Sequence, residues 1–181
     1  MELWEESRLV FQGKILQVRV GSVALDDDTK AYREVVEHPG GACVLPYTGA
    51  GFVFVRQFRI ALGQEVLEAP AGKLEPGETP EGCARKELRE ETGFQGESLI
   101  SLGTDFPTGG FSSEIIHLYL ATDLTDIGKD PEPDERIETV FLALDDVRKK
   151  INGPFFQDAK TNIVVYRAIQ YLDTHVFSIH E

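Results

Sequence analysis

The chain has 181 residues, of which 41% are hydrophobic and 27% charged, a composition that fits one globular domain and excludes a disordered tail protein. Its 31 acidic and 18 basic residues leave a net charge of −13, which argues against nucleic-acid binding, because such binding depends on Lys and Arg neutralising phosphates. No apolar run approaches the roughly 18 residues of a membrane span, so no membrane partner is expected.

Short β-favouring runs occupy the first part of the chain. Residues 1–37 place Val and Ile in such runs, and the Asp-rich stretch at 26–30 is typical of a turn before a further strand at 31–37. The Pro-Gly-Gly sequence at residues 39–41 interrupts this pattern. We therefore expect a small N-terminal β-subdomain over residues 1–37 and a main domain over residues 38–181.

Strands and helices interleave through the main domain. Apolar runs at residues 42–47 and 52–58 flank a Gly-rich turn at 48–51 and predict a β-hairpin, whereas residues 63–77 predict a loop. Further strands are predicted at residues 98–102, 115–121 and 137–142, helices at residues 145–151 and 158–172, and a loop at residues 130–135. Because this spacing is not that of regular βαβ units, we expect a mixed sheet with helices packed on its faces.

A helix capped by Thr79 and ended by Gly93 carries three carboxylates near its C-terminal end. On a regular α-helix Glu87 and Glu91 are i,i+4 neighbours, and Glu90 lies within the same third of the circumference. Like charges repel there, and the helix dipole disfavours them at this end. Taken alone, such a cluster is more often a solvated acidic face than a site for a hard divalent cation such as Mg²⁺.

A longer pattern around this helix favours the metal site. The segment GKLEPGETPEGCARKELREETGF resembles the Nudix box, G-x5-E-x7-R-E-U-x-E-E-x-G-U. Its charged and glycine positions are matched by Gly72, Glu78, Glu87, Glu90, Glu91 and Gly93. The box arginine, which pairs with the box glutamate in the family, is Lys86 here. Lysine keeps the charge but lacks the forked geometry of arginine, so we expect a looser helix and an intact site.

Segments outside the box resemble the branch of this family that hydrolyses ADP-ribose and other nucleoside diphosphate sugars. VRQFR at residues 55–59 and EAPAGKLE at residues 68–75 are similar to that branch, and FPTGGFSSE at residues 106–114 resembles its P-S-P-G-F-S-x-E loop. Gly109 replaces the second proline of this loop, which is associated with a preference for ADP-ribose. The resemblance therefore implies hydrolysis of a nucleoside diphosphate sugar, with a strict ADP-ribose pyrophosphatase as the alternative.

The resemblance also implies a Nudix-fold α/β/α sandwich with a mixed sheet, and roles for particular residues. The metal ligands would be the backbone carbonyl of Ala71 and the side chains of Glu87, Glu90 and Glu91, holding Mg²⁺ with Mn²⁺ as a substitute. Glu135 falls where this branch places a carboxylate that binds metal or activates water, with Asp134 and Glu90 as alternatives. Substrate-binding positions of the branch are matched by Arg33, Arg59, Glu68 and Glu114.

Assembly and location follow from weaker signals. The related branch builds a symmetric dimer from its N-terminal region, so we expect a homodimer with Arg33 or Trp4 close to the neighbour's site. Residues 1–6 do not read as a signal peptide, and two cysteines are too few for a disulfide framework, so the protein is expected to be cytoplasmic. A Nudix-like domain that binds a nucleotide sugar without cleaving it remains the alternative of another class, although every metal carboxylate of the box is present.

Overall fold

The structure, a computed structural model, describes residues 1–129 and 136–175, and its backbone divides into two compact units. The first unit contains Met1–Gly40 and Phe106–Ile115. The second contains Gly41–Asp105 and the chain from Ile116 onward. The segment Phe106–Ile115 joins the first unit through a parallel bridge between Val36 and Ser112. The predicted N-terminal subdomain, residues 1–37, did not include this segment.

The first unit is a three-stranded antiparallel sheet, as the β-favouring runs predicted. Its strands, in the order in which they pair, are β1 (Leu3–Gln12), β2 (Gln17–Ala24) and β3 (Lys30–Glu37). Asp28 takes a left-handed φ of 62° in the β2–β3 turn, and the Thr29 amide donates to Asp27 Oδ1 at 3.1 Å. All ten residues of β1 are exposed, so this edge strand buries neither of its faces within the chain.

In its described residues, the second unit contains two sheets, three α-helices and one π-helical turn. The strands are β4 (Gly41–Pro46), β5 (Gly51–Arg59), β6 (Gln64–Glu68), β7 (Ala71–Lys73), β8 (Phe94–Asp105), β9 (Ile116–Asp126) and β10 (Ile137–Ala143). The helices are α1 (Pro80–Glu87), α2 (Leu144–Lys150) and α3 (Ala159–His175). The sheet β7-β4-β9-β8 combines a parallel β4–β9 pair with antiparallel neighbours, whereas β10-β5-β6 is antiparallel throughout. The predicted mixed sheet is therefore confirmed.

The predicted hairpin of β4 and β5 is wrong. The two strands lie in different sheets, and only an isolated bridge between Tyr47 and Phe52 joins their adjacent ends. Each strand uses both edges elsewhere: β4 pairs with β7 and β9, and β5 pairs with β6 and β10. The region predicted as a loop, residues 63–77, contains β6 and β7, which are only five and three residues long and carry a weak pattern.

The side chains of β4 separate two clusters of buried residues. Ala42 and Val44 pack with α1, in a cluster that includes Ala84 and Leu88. Cys43 and Leu45 point into a larger cluster that contains residues of α3, such as Val164 and Leu172. Because successive side chains of a strand face opposite sides of its sheet, the two helices cover opposite faces. This layering is the predicted helix–sheet–helix sandwich.

The remaining predictions differ from the structure mainly in element length. Strands predicted at residues 98–102 and 115–121 extend to form β8 and β9, while the third strand and both later helices begin within one residue of the prediction. Within the described part of the chain, no helix is both long and apolar enough to cross a membrane.

Candidate metal and substrate site

Local capping signals place the helix of the box as predicted. The Thr79 side chain accepts a hydrogen bond from the Gly82 amide at 3.1 Å, and Pro80 occupies the first turn. Gly93 ends the helical segment with a φ of 81°, and its amide donates to the Arg89 carbonyl at 2.9 Å. The last turn, Leu88–Thr92, is π-helical, a form that often occurs at functional sites.

The π-helical turn changes the arrangement expected for the three carboxylates. Glu87 is the last residue of α1, whereas Glu90 and Glu91 belong to the π-helical turn, so the spacing of a regular α-helix does not describe them. Glu87 is 7% and Glu91 3% exposed, and Glu90 is half-buried. Two of the three are thus buried acids, which excludes the solvated acidic face for that pair.

Glu87 lies directly against the backbone of Gly72. A Cβ built on Gly72 would fall 1.9 Å from Glu87 Oε1, well inside van der Waals contact. The Lys86 ammonium lies 3.3 Å from the same carboxylate oxygen. A side chain at the glycine that begins the Nudix-like pattern would therefore force the carboxylate of a predicted metal ligand to move.

Glu91 meets the residue that precedes this glycine. The Ala71 amide donates to Glu91 Oε2 at 3.1 Å, and Ala71 pairs with Cys43 across the β4–β7 ladder. The structure thereby brings together Glu87, Glu91 and the Ala71–Gly72 backbone. The resemblance to the Nudix box implied that these belong to one site. Their contacts lie at the start of β7.

Lys86 is shared between two carboxylates. Its ammonium lies 4.0 Å from Glu78 Oε1, at the limit of an ion pair, and closer to Glu87. Burial by itself lowers the pKa of Lys86, but the charge and hydrogen bond of Glu87 outweigh it, so the pKa is raised. Glu78 Oε2 also accepts from the Glu75 amide at 3.0 Å. Lysine thus links Glu78 to the helix more weakly than a forked arginine would.

A third buried carboxylate, Glu68 of β6, pairs with Arg59 of β5. Arg59 Nε and Nη2 donate to the two carboxylate oxygens at 2.7 and 2.8 Å, a bidentate pair. The Lys160 ammonium of α3 binds Oε2 as well. Burial alone would raise the pKa of Glu68, but these hydrogen bonds and the Lys160 charge hold it below its ordinary value.

Lys160 and its partner Asp158, which lies 3.0 Å away, were not among the predicted site residues. Lys160 is the second residue of α3, and the helix dipole disfavours a cation in that first turn. Two features of the sequence could have pointed to Lys160. It lies in the first turn of a predicted helix, where the dipole disfavours a cation, and an acid lies two residues before it. The side chain of Lys160 is 15% exposed, so its charge lies inside the second unit.

Arg33 and Glu114, the other predicted substrate-binding residues, belong to the first unit. Arg33 in the first unit binds Glu2, with Nε 2.9 Å from Oε2 and Nη2 2.5 Å from Oε1. Glu114, in the same unit, has a carboxylate oxygen 3.6 Å from His38 Nδ1. Asp134 and Glu135 lie outside the described residues.

The donor set suits a divalent cation, although it is not a ready-made cluster. In residues 1–129 and 136–175, no three His, Cys, Asp or Glu side chains converge as a metal-binding group, so Glu87, Glu90 and Glu91 are not gathered on one point. Lys86 and the Ala71 amide instead contact two of these carboxylates. The carboxylates and the Ala71 carbonyl offer oxygen donors, which are the ligands that Mg²⁺ and Mn²⁺ prefer.

Comparison with solved structures supports the architecture. A crystal structure described as "ADP compounds hydrolase" superposes with a TM-score of 0.85 and covers 97% of this chain and 96% of its own. Its sequence identity of 17% restricts this likeness to the fold. The predicted α/β fold of the Nudix type is thus confirmed.

Sequence comparisons identify the family. The "ADP-ribose pyrophosphatase" of Bacillus subtilis is 39% identical over 90% of this chain and 88% of its own, and the "Methanol dehydrogenase activator" of Bacillus methanolicus is 36% identical over 94% of each. The "GDP-mannose pyrophosphatase" of Salmonella typhimurium is 32% identical over 78% of both chains. The family model described as NUDIX domain matches residues 37–160. The chain belongs to the Nudix family.

Proposed function

We propose that this protein hydrolyses the diphosphate bond of a nucleoside diphosphate sugar and releases a nucleoside monophosphate and a sugar phosphate. The observation that carries the proposal is the placement of two buried carboxylates, Glu87 and Glu91, against the Ala71–Gly72 backbone inside a Nudix box whose arginine is Lys86. Carboxylate oxygens beside a backbone carbonyl are the hard donors that a divalent cation such as Mg²⁺ prefers.

The substrate class rests on the relatives and on one loop residue. The Bacillus subtilis relative is named for ADP-ribose and covers 90% of this chain, and the Salmonella typhimurium relative is named for GDP-mannose and covers 78%. The two named substrates differ in both base and sugar. Gly109 stands where the related branch carries a proline associated with ADP-ribose preference. We therefore favour a broad nucleotide-sugar hydrolase over a strict ADP-ribose pyrophosphatase.

The metal ligands that we propose are Glu87, Glu90, Glu91 and the Ala71 carbonyl, with Mg²⁺ as the metal and Mn²⁺ as a substitute. When bound, a divalent cation supplies Lewis-acid activation of the diphosphate and of the attacking water. We propose that Glu135 accepts the proton of that water, because carboxylates engaged by a cation are poor bases.

Arg59 is the residue that we assign to the phosphate oxygens. Its side chain is 41% exposed although Glu68 holds two of its nitrogens, so the guanidinium is both oriented and accessible. A guanidinium held in place before substrate arrives stabilises negative charge without reorganising during the reaction. Glu68 thus orients Arg59, which extends the substrate-binding role expected for both residues.

We propose that the protein works as a cytoplasmic homodimer assembled through β1. The edge strand exposes apolar side chains, including Leu3 at 64% and Phe11 at 55%, and such strands are normally covered by a partner. Cys43 and Cys83 are both buried thiols, and burial raises the pKa of Cys83 to about 12, so neither is poised for oxidation.

The test is a panel of ADP-ribose, GDP-mannose, UDP-glucose, ADP-glucose and diadenosine polyphosphates, assayed with Mg²⁺ and with Mn²⁺. Nucleoside monophosphate and sugar phosphate should appear together from several nucleotide sugars, and EDTA should abolish both. Turnover of ADP-ribose alone would establish the strict pyrophosphatase instead. Binding of a nucleotide sugar without any product would overturn the enzymatic proposal in favour of a binding domain.

A further inference from the structure

The backbone that meets Glu91 is held along its whole length. Residues 68–72, named here the 68–72 segment, run from the end of β6 into β7. At one end, the Ala71 amide donates to Glu91 Oε2 at 3.1 Å. In the middle, the Pro70 carbonyl accepts from the Val44 amide at 2.9 Å.

The other end of the 68–72 segment is bound to the first turn of α3. Thr161 Oγ1 accepts from the Ala69 amide at 2.8 Å, and the Lys160 ammonium binds the Glu68 carboxylate. Asp158 joins these two residues: its Oδ2 accepts from the Thr161 amide at 2.9 Å and from the Thr161 hydroxyl at 2.6 Å, and lies 3.0 Å from Lys160 Nζ. Lys160 and Thr161 thus bind two consecutive residues of the segment, and Asp158 holds both of them.

These contacts exceed what α3 needs for its own stability. Thr161 is fully buried, and its hydroxyl both donates to Asp158 and accepts from the Ala69 amide. It therefore links the residue before α3 to the 68–72 segment. Lys160 opposes the helix dipole in the first turn, so its position is explained by Glu68 rather than by the helix. The side chain of Glu68 is 4% exposed, which leaves water little access to compete for the pair.

We propose that Asp158, Lys160 and Thr161 are positioning residues for the metal site, which fix the 68–72 segment so that the backbone of Ala71 faces Glu91. The inference rests on the proposed function, since it assigns these residues to the same site. None of the three is among the proposed ligands. They act through the backbone of the segment, in the way that outer partners orient the ligands of other metal sites.

The experiment compares single substitutions within one turn of α3. Thr161→Val keeps the shape but removes the hydroxyl, whereas Thr161→Ser keeps the hydroxyl. Asn162→Ala is the matched control, because within the described residues the Asn162 side chain donates to the carbonyls of Phe156 and Asp158 and not to the 68–72 segment. Two quantities are measured on the full-length protein: hydrogen exchange of the Ala71 amide without metal, and Mn²⁺ affinity from the electron paramagnetic resonance signal of unbound Mn²⁺.

We expect Thr161→Val to speed exchange at Ala71 and to weaken Mn²⁺ binding by roughly 10-fold to 100-fold, the range seen when outer partners of ligands are removed. Thr161→Ser and Asn162→Ala should match the unmodified protein in both quantities. Amides of Leu118 and Leu120 in buried β9 report global unfolding, so faster exchange confined to Ala71 separates positioning from general destabilisation.

Unchanged exchange at Ala71 in Thr161→Val would overturn the inference, and so would faster exchange with unchanged Mn²⁺ affinity. If Thr161→Val does not fold, Lys160→Met provides the same comparison, because it releases Glu68 and should have the same two effects. Absence of nucleotide-sugar hydrolysis in the unmodified protein would overturn the proposed function, while the exchange of Ala71 would still decide the positioning.

Discussion

The Glu87 carboxylate occupies the space that any side chain on residue 72 would need, since a Cβ at Gly72 would lie 1.9 Å from Oε1. Gly72 therefore has a steric role, and its φ is not in the left-handed region that favours glycine. The first prediction follows from this contact.

Gly72→Ala should displace Glu87 and reduce kcat/KM by at least about 100-fold, because a misplacement of about 1 Å at a reaction centre has that effect. Overpacking should also lower the free energy of unfolding by about 1–3 kcal/mol. Gly153→Ala is the control, because its Cβ would have only an ordinary contact at 3.6 Å. Steady-state kinetics and urea denaturation measure both effects, and full activity of Gly72→Ala would contradict the arrangement.

Glu91→Gln should reduce turnover by several orders of magnitude while the fold survives. A glutamine retains a carbonyl oxygen that accepts from the Ala71 amide, but it loses the negative charge that a divalent cation requires. Glu81→Gln, an exposed acid at the start of α1, should leave turnover unchanged. Activity measured against Mg²⁺ concentration tests the assignment, which near-normal turnover of Glu91→Gln would refute.

Glu135→Gln should lower kcat by about 10²-fold to 10⁴-fold with little change in KM, which is the effect of removing a general base. Asp134→Asn should do much less. If only Asp134→Asn is damaging, the base is one residue earlier than proposed. If neither change matters, the proton acceptor lies elsewhere, with Glu114 or Glu90 to be tested next.

Stability at acidic pH should depend on Glu68. Its folded-state pKa lies below the ordinary 4.5, because hydrogen bonds from Arg59 and the Lys160 charge outweigh the effect of burial. The contribution of this group is therefore complete above about pH 4.5 and is lost as the pH falls through the lower folded-state value. Urea denaturation from about pH 6 to about pH 3 should show this loss, and Glu68→Gln should be less stable near neutrality with a flatter dependence on pH. An unchanged slope in that variant would exclude Glu68 as the cause.

The molecular mass in solution should be twice the 20.1 kDa of one chain. The double variant Val10→Asp with Phe11→Asp adds charge at two exposed apolar positions of β1 and should shift light scattering towards the monomer. The control pair, Ile127→Asp with Phe141→Asp, changes side chains that are 48% and 52% exposed outside β1, close to the 48% and 55% of the first pair. A fully active 20.1 kDa monomer of the unmodified protein would contradict the dimer.

Features determined by neighbouring residues were predictable from the sequence, whereas pairings between distant segments were not. Thr79 and Gly93 ended the box helix as expected, because caps act over three or four residues. The β4–β5 hairpin failed because β4 pairs with β7 and β9, and β5 pairs with β6, the next strand, and with the distant β10. The local pattern could mark Lys160 as an unusual cation in a first helical turn, but its partner Glu68 is 92 positions away in the sequence and could not be identified from it.

The fully buried residues of the cluster that joins α1 to its sheet have mostly small side chains. Ala42, Ala84 and Ala121 contribute to it with Val44 and Cys83, and Leu88 is the one large aliphatic residue among its fully buried members. Small side chains let a helix lie close to a sheet, because protein interiors are close-packed and side-chain size sets the distance between packed elements. The helix-to-sheet spacing thus sets how far the glutamates must reach, and a bulkier residue at any of these alanines would lift α1 and withdraw its carboxylates from β7.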